Sequence, residues 1–140
     1  MNRSGGSPFA LHTLLHAAYA AEAEVEARLA GIGLSMAKLQ ALKALTAAGE
    51  SLPLSQLAER LACVKSNITQ LVDRLEADGF VLRQADPHDR RARLAVLTAA
   101  GRRACQAGSK LQQDTERRLL GGLSDRESQQ LTQLLAKVKP

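Results

Sequence analysis

A chain of 140 residues is one domain's worth of sequence and can bury roughly two-thirds of its unfolded surface, which excludes a second large domain. Hydrophobic residues make up 45% and charged residues 24%, an ordinary balance that argues against wholesale disorder, collagen-like repeats or a coiled-coil rod. Nineteen basic against fourteen acidic side chains give a net charge of +5, which suits a polyanionic partner, while the aromatic set of Phe9, Tyr19 and Phe80 is too small for single-strand stacking platforms, so a nucleic-acid partner would be duplex.

Residues 1–7 read as a polar, Gly/Ser-rich disordered tail, and Pro8 suits the first turn of a helix. Arg3 followed by an apolar stretch from Phe9 to Ala21 superficially resembles a secretory signal, but His12, Thr13 and His16 interrupt it. The same residues fit an amphipathic helix carrying Leu11, Leu15, Ala18, Val25 and Leu29 and ending near Gly31 and Gly33. There is no run of about 18 apolar residues, so a transmembrane helix is not expected. A second helix opens at Ser35, a good N-cap, and carries Leu39, Leu42 and Leu45 up to Gly49. Leu52 to Leu54, with Pro53 inside, reads as a short edge strand or a turn.

Two short helical patterns follow, Leu54, Leu57, Ala58 and Leu61, then Ile68, Leu71, Val72 and Leu75, each spaced i, i+3, i+4, i+7. Only Ala62 to Val64 separates them, so the helices cross steeply around a shared apolar corner, as in a helix-turn-helix. Gly79 closes the second. Phe80–Gln84 and Arg93–Leu97 are the best strand candidates, with Phe80 and Leu82 alternating on one and Leu94 and Val96 on the other, joined by a polar connection from Ala85 to Ala92. A charged hairpin directly after a helix-turn-helix is a wing. Thr98 then caps a long helix towards Leu120, Gly121 and Gly122 break it, and Ser124 with Glu127 forms a capping box for a last helix with Leu131, Leu134, Leu135 and Val138. The expected fold is thus mainly α with a small β-hairpin wing, residues 35–97 forming the winged-helix lobe and residues 8–33 and 98–140 a helical region within one domain, 8–140.

The runs Leu57–Leu61, Lys65–Glu76, Asp86–Arg91 and Leu97–Gly101 resemble the multiple-antibiotic-resistance regulator (MarR) family of bacterial repressors. The Asp-Pro-His-Asp-Arg-Arg wing followed by Leu-Thr-x-x-Gly is the specific part, since a bare helix-turn-helix is shared by many families. The resemblance implies a cytoplasmic winged-helix homodimer joined through its first and last two helices, bound to double-stranded DNA and often released by a small anionic or phenolic effector. It also implies that Arg91 enters a minor groove, Arg90 holds a phosphate and Asp89 orients the wing. Val64 stands where family members often place a hydroxyl or an acid, so the start of the recognition helix and the stiffness of the wing do not follow from the resemblance.

With Ile68, Leu71, Val72 and Leu75 turned to the core, the 100° step per residue sends Ser66, Gln70 and Asp73 outward, flanked by Lys65, Asn67, Thr69 and Arg74. Any isolated helix has a solvated polar face. Here small uncharged polar side chains gather in the N-terminal half, the end that enters a groove, and Asn, Gln, Thr and Arg are the residue types that read base edges or hold phosphate. The arginine excess from Arg83 to Arg103 lies beside them, facing only Asp86 and Asp89.

Other residues point less far. Cys63 lies near a helix N-terminus and Lys65, which would favour oxidation, yet its place in the turn suits inert packing, and Cys105 also reads as a packing residue. His12 and His16, at i, i+4, supply two metal ligands where a site needs more, so no metal or other cofactor is expected. By resemblance, an effector pocket would draw on the first two helices, with His12, His16, Tyr19, Leu39 and Leu42 as lining. The rival readings are a redox-responsive regulator acting through Cys63, a helical interaction module without DNA binding, whose wing would be neutral, and an enzyme, for which neither a nucleophile elbow nor a phosphate loop is present.

Overall fold

The computed structural model describes residues 9–61 and 65–140, apart from the side chains of Lys65 and Ser66. The expectations for the 1–7 tail, Pro8, the turn at 62–64 and Cys63 lie outside the described residues. In chain order come α1 (Ala10–Ala30), α2 (Met36–Ala47), β1 (Ser51–Pro53), α3 (Leu54–Arg60), α4 (Lys65–Ala77), β2 (Val81–Asp86), β3 (Asp89–Leu97), α5 (Ala99–Leu120) and α6 (Asp125–Ala136).

The helix starts follow from side-chain caps. Ser35 Oγ accepts the Lys38 N–H at 3.1 Å, Thr98 Oγ1 accepts the Gly101 N–H at 3.0 Å, and Ser124 and Glu127 form the reciprocal capping box expected from their spacing. Leu39, Leu42 and Leu45 of α2 meet Leu57 and Ala58 of α3, Ile68, Leu71, Val72 and Leu75 of α4, and Val81, Ala95 and Leu97 of the sheet in one core cluster. In α4 the buried residues Ile68, Leu71, Val72 and Leu75 form the i, i+3, i+4, i+7 stripe that buries one face and leaves the other wet.

The three strands are antiparallel in the order β1-β3-β2, so the segment around Pro53 is an edge strand, the place where a missing N–H is tolerated. Two details of the hairpin differ from the sequence reading. Strand β2 begins at Val81 because Phe80 is used to close α4. Its N–H reaches the Leu75 carbonyl at 2.9 Å over Gly79, whose φ of 77° a residue with a Cβ resists. The buried side chain is therefore Val81, while Leu82 is exposed, and Ala95 and Leu97 are more deeply buried than Leu94 and Val96. A one-residue offset flips every side chain of a strand to the other face.

The second difference is length. Pairing continues outward to Asp86 opposite Asp89, with an irregularity after Ala85, leaving only Pro87 and His88 in the turn. The Asp86 carboxylate accepts the His88 N–H at 2.8 Å across that turn. Asp89, Arg90 and Arg91 are thus strand residues rather than part of a loose polar connection. The outer hairpin touches no core, so it carries no apolar alternation by which to recognise it as strand.

Helix α5 packs on the lobe through a line of small side chains, Gly101, Cys105, Gly108 and Thr115, which are buried; Cys105 is thus the packing residue expected of it, and Gly108 and Thr115 extend the line beyond what the sequence marks. A Cβ at Gly101 would collide with the Phe80 carbonyl, and one at Gly108 would stand 2.8 Å from methyl carbons of Leu34 and Leu39. The Leu-Thr-x-x-Gly run is thereby explained: Leu97 ends the strand inside the core, Thr98 caps α5, and Gly101 lets the helix lie against the α4–β2 corner.

Candidate nucleic-acid interface

On α4 the buried side chains are Ile68, Leu71, Val72 and Leu75, and Asn67, Thr69, Gln70, Asp73 and Arg74 are all exposed. Lys65 and Ser66 belong to the first turn of the same helix. The lobe thus presents a polar helix face beside a projecting two-stranded wing.

The wing's charges are of two kinds. Arg90, Arg91 and Arg93 are exposed and make no ion pair among the described residues, so their charge is available to a partner. Asp89 spends a carboxylate oxygen on the Arg91 backbone N–H at 2.9 Å, a contact that shapes the start of β3 and leaves both guanidinium groups unpaired. Arg83, counted in the same basic excess, is instead paired. Its Nη2 lies 2.6 Å from Asp73 Oδ1 and 3.2 Å from the Thr69 carbonyl, and its Nη1 lies 3.4 Å from Glu76 Oε1. Arg102 is likewise held, 2.7 Å from Glu50. The sequence does not reveal the Arg83 clamp, because the apolar alternation of Phe80 and Leu82 falls on the face of β2 opposite to the buried Val81. From Val81, a period of two puts Arg83 on the core side, towards α4.

The residues expected to line an effector pocket do not converge within the chain. Leu39 and Leu42 are sealed in the core, at 1% and 0% exposure, because the stripe that makes α2 a core helix uses them. His12, His16 and Tyr19 lie on the exposed N-terminal half of α1, the two imidazoles stacked with centroids 6.3 Å apart. A cavity of about 540 Å³ opens instead between α1, α2 and α5, where Val25, Leu119 and Leu120 provide apolar walls and Lys43, Gln112 and Glu116 polar ones. Lys43 Nζ donates to Gln112 Oε1 there at 2.6 Å. Cys105 is buried, 3.7 Å from the Thr46 hydroxyl. Among the described residues no three His, Cys, Asp or Glu side chains gather in a way that could hold a metal ion, and no helix is long and apolar enough to cross a membrane.

Among the described residues, six helices and a three-stranded antiparallel sheet with a projecting hairpin define a winged-helix protein with helical extensions on either side of the lobe. A family model described as the MarR family matches residues 34–92, the lobe itself. An uncharacterised HTH-type transcriptional regulator of Bacillus subtilis, YkoM, is 37% identical over 84 residues, 60% of this chain and 54% of the relative, so the chain spans about half the length of that curated relative. Among solved structures, a probable transcriptional regulator from Pseudomonas aeruginosa is similar with a TM-score of 0.80 and 31% identity, covering 93% of this chain and 96% of that one. A cysteine-to-serine mutant of MarR from Escherichia coli, complexed with operator DNA, gives 0.81 and 26%, covering 96% and 100%. The chain belongs to the MarR family.

Proposed function

We propose that the protein is a DNA-binding transcriptional regulator, a homodimeric repressor that lays α4 in the major groove of a pseudo-palindromic operator and the wing in the adjacent minor groove. The observation that carries this reading is the pairing of surfaces: the exposed polar face of α4, with Asn67, Thr69 and Gln70 in its N-terminal half, beside a wing whose Arg90 and Arg91 have no ion-pair partner among the described residues. Unpaired arginines on a narrow projecting hairpin are suited to the strongly negative minor groove and its phosphates. The similar E. coli protein solved with operator DNA supports the same partner.

Dimerisation rests on the two ends of the chain. Phe9, Leu11, Leu15 and Tyr19 of the α1 region are 59–76% exposed, Leu134 is 60% exposed, and α6 buries no residue at all. Two apolar helix faces of this kind on one small protein call for a cover, and a second copy aligned on them would set two recognition helices about 34 Å apart, one turn of duplex. An acidic effector would find Lys43 as the cation lining the α1–α2–α5 cavity, and it would release DNA only by preferring a dimer whose recognition helices are wrongly spaced. Titration of random duplex fragments at several salt concentrations, with sequencing of those retained, tests the central reading. Enrichment of a two-fold-symmetric site is expected, and failure to retain any duplex at low salt would overturn it.

A further inference from the structure

Most of the wing's positive charge faces solvent, but Arg83 is turned onto the recognition helix with its side chain only 22% exposed. Its place is set by the sheet: β2 pairs with β3 so that Arg83 lies opposite Ala95, which is fully buried, and its side chain rises from the inner face of the hairpin where α4 packs. It meets two carboxylates there, Asp73 Oδ1 at 2.6 Å and Glu76 Oε1 at 3.4 Å, while its own backbone N–H donates to Glu76 Oε2 at 3.0 Å.

The position of those carboxylates is what matters. Residues 66, 70 and 73 fall on one stripe of an α-helix, so Asp73 continues the exposed polar stripe of α4, and Glu76 stands one turn further on. Both are substantially exposed, at 59% and 41%. Left uncompensated, they would put two negative charges within a Debye length of the phosphates flanking the groove, where like charges repel. A recognition helix carrying Asp at that place is at odds with a polyanionic partner unless something neutralises it.

We propose that Arg83 acts on DNA binding through Asp73 and Glu76, masking two carboxylates that the recognition face would otherwise turn towards the phosphate backbone. This rests on the DNA-binding reading above, and it makes Arg83 a positioning residue rather than a phosphate contact.

The test is a set of charge-neutralising variants of the full chain, assayed on one duplex at fixed salt, with the thermal midpoint of each variant recorded. R83Q is expected to weaken binding about tenfold, and the triple variant R83Q/D73N/E76Q to return within about threefold of wild type, because the repulsion has been removed with its mask. R83Q/D114N/E116Q gives the same net charge as that triple variant with the neutralised carboxylates on α5, and it is expected to stay as weak as R83Q. D73N/E76Q alone is expected to bind within about threefold of wild type, which keeps the question decidable even if R83Q melts early. Unchanged binding by R83Q, a triple variant no better than R83Q, equal rescue by the α5 pair, or a gain of about tenfold or more for D73N/E76Q would each overturn the proposal, the last by showing that the freed arginine reaches phosphate itself. Wild-type protein that binds no duplex would instead remove the DNA-binding reading, a different and separately visible failure.

Discussion

Arg90 and Arg91 are neighbours in sequence and both exposed, yet adjacent strand residues point to opposite sides of the hairpin, so one wing can hold a phosphate with one and enter a groove with the other. Arg91→Ala is expected to cost about 1–3 kcal/mol of operator affinity, whereas Arg90→Ala weakens specific and random duplex alike and flattens the salt slope by about one unit, both read from titrations at several salt concentrations. Gly101 makes a different demand. Its missing Cβ is the space in which α5 meets the Phe80 carbonyl, and backbone cannot swing aside as a flexible side chain can. Gly101→Ala is expected to lower stability by about 1–3 kcal/mol, visible as a lower denaturant midpoint with an unchanged slope, despite the higher helix propensity of alanine. Glu50 illustrates a residue whose conformation is imposed: at a φ of 80° it accepts the Leu97 N–H at 2.8 Å through its carbonyl and pairs with Arg102, ties that hold the β1 turn to β3 and α5.

At the scale of elements, helix boundaries were legible because caps are local chemistry, one side chain answering one backbone N–H. The α6 capping box carries a pH signature of its own. The Ser124 backbone N–H and then its hydroxyl stabilise the Glu127 carboxylate and hold its pKa below the usual value. A depressed pKa means the cap contributes fully above about pH 4.5 and is lost as pH falls through the lower folded value. Amide exchange in the first turn of α6 should therefore quicken between pH 6 and pH 3 relative to intrinsic rates, and Glu127→Ala should abolish that dependence; equal behaviour of wild type and variant would show that the box is not formed in solution. The wing was less legible. Its outer half has no buried neighbour to enforce alternation, so polar strand and polar loop look alike in sequence, and the alternation of Phe80 and Leu82 does not mark the buried face of β2 because Phe80 closes α4 instead of opening the strand.

For the whole molecule, what remains open on the single chain is apolar helix surface at both ends. If α1 and α6 are covered by a second copy, Leu15→Glu together with Leu134→Glu is expected to convert the dimer to monomer by light scattering at micromolar concentration, because a charge buried in an apolar interface is costly. Duplex affinity should fall in parallel, since two half-sites are then no longer held at a fixed spacing. A wild-type protein that is monomeric under the same conditions would contradict the dimer. Arg83 belongs to this scale as well as to its own, for it joins wing to recognition helix, and the way α4 and β2 pack decides which arginines of the basic excess are left unpaired.

By itself the sequence determined the order of elements, the helix caps, the core stripes of α2, α3 and α4, and the exposed polar face of α4, all of which are written in spacings of seven residues or fewer. Only the tertiary structure decided which of the basic side chains are paired, which face of the hairpin is buried, why Gly101 and Gly108 are glycines, and how deeply Leu39 and Leu42 are sealed in the core. Those outcomes depend on contacts between residues far apart in the chain, such as Gly108 against Leu34 or Arg102 against Glu50, and a pattern of neighbouring residues carries no information about the distance across a fold.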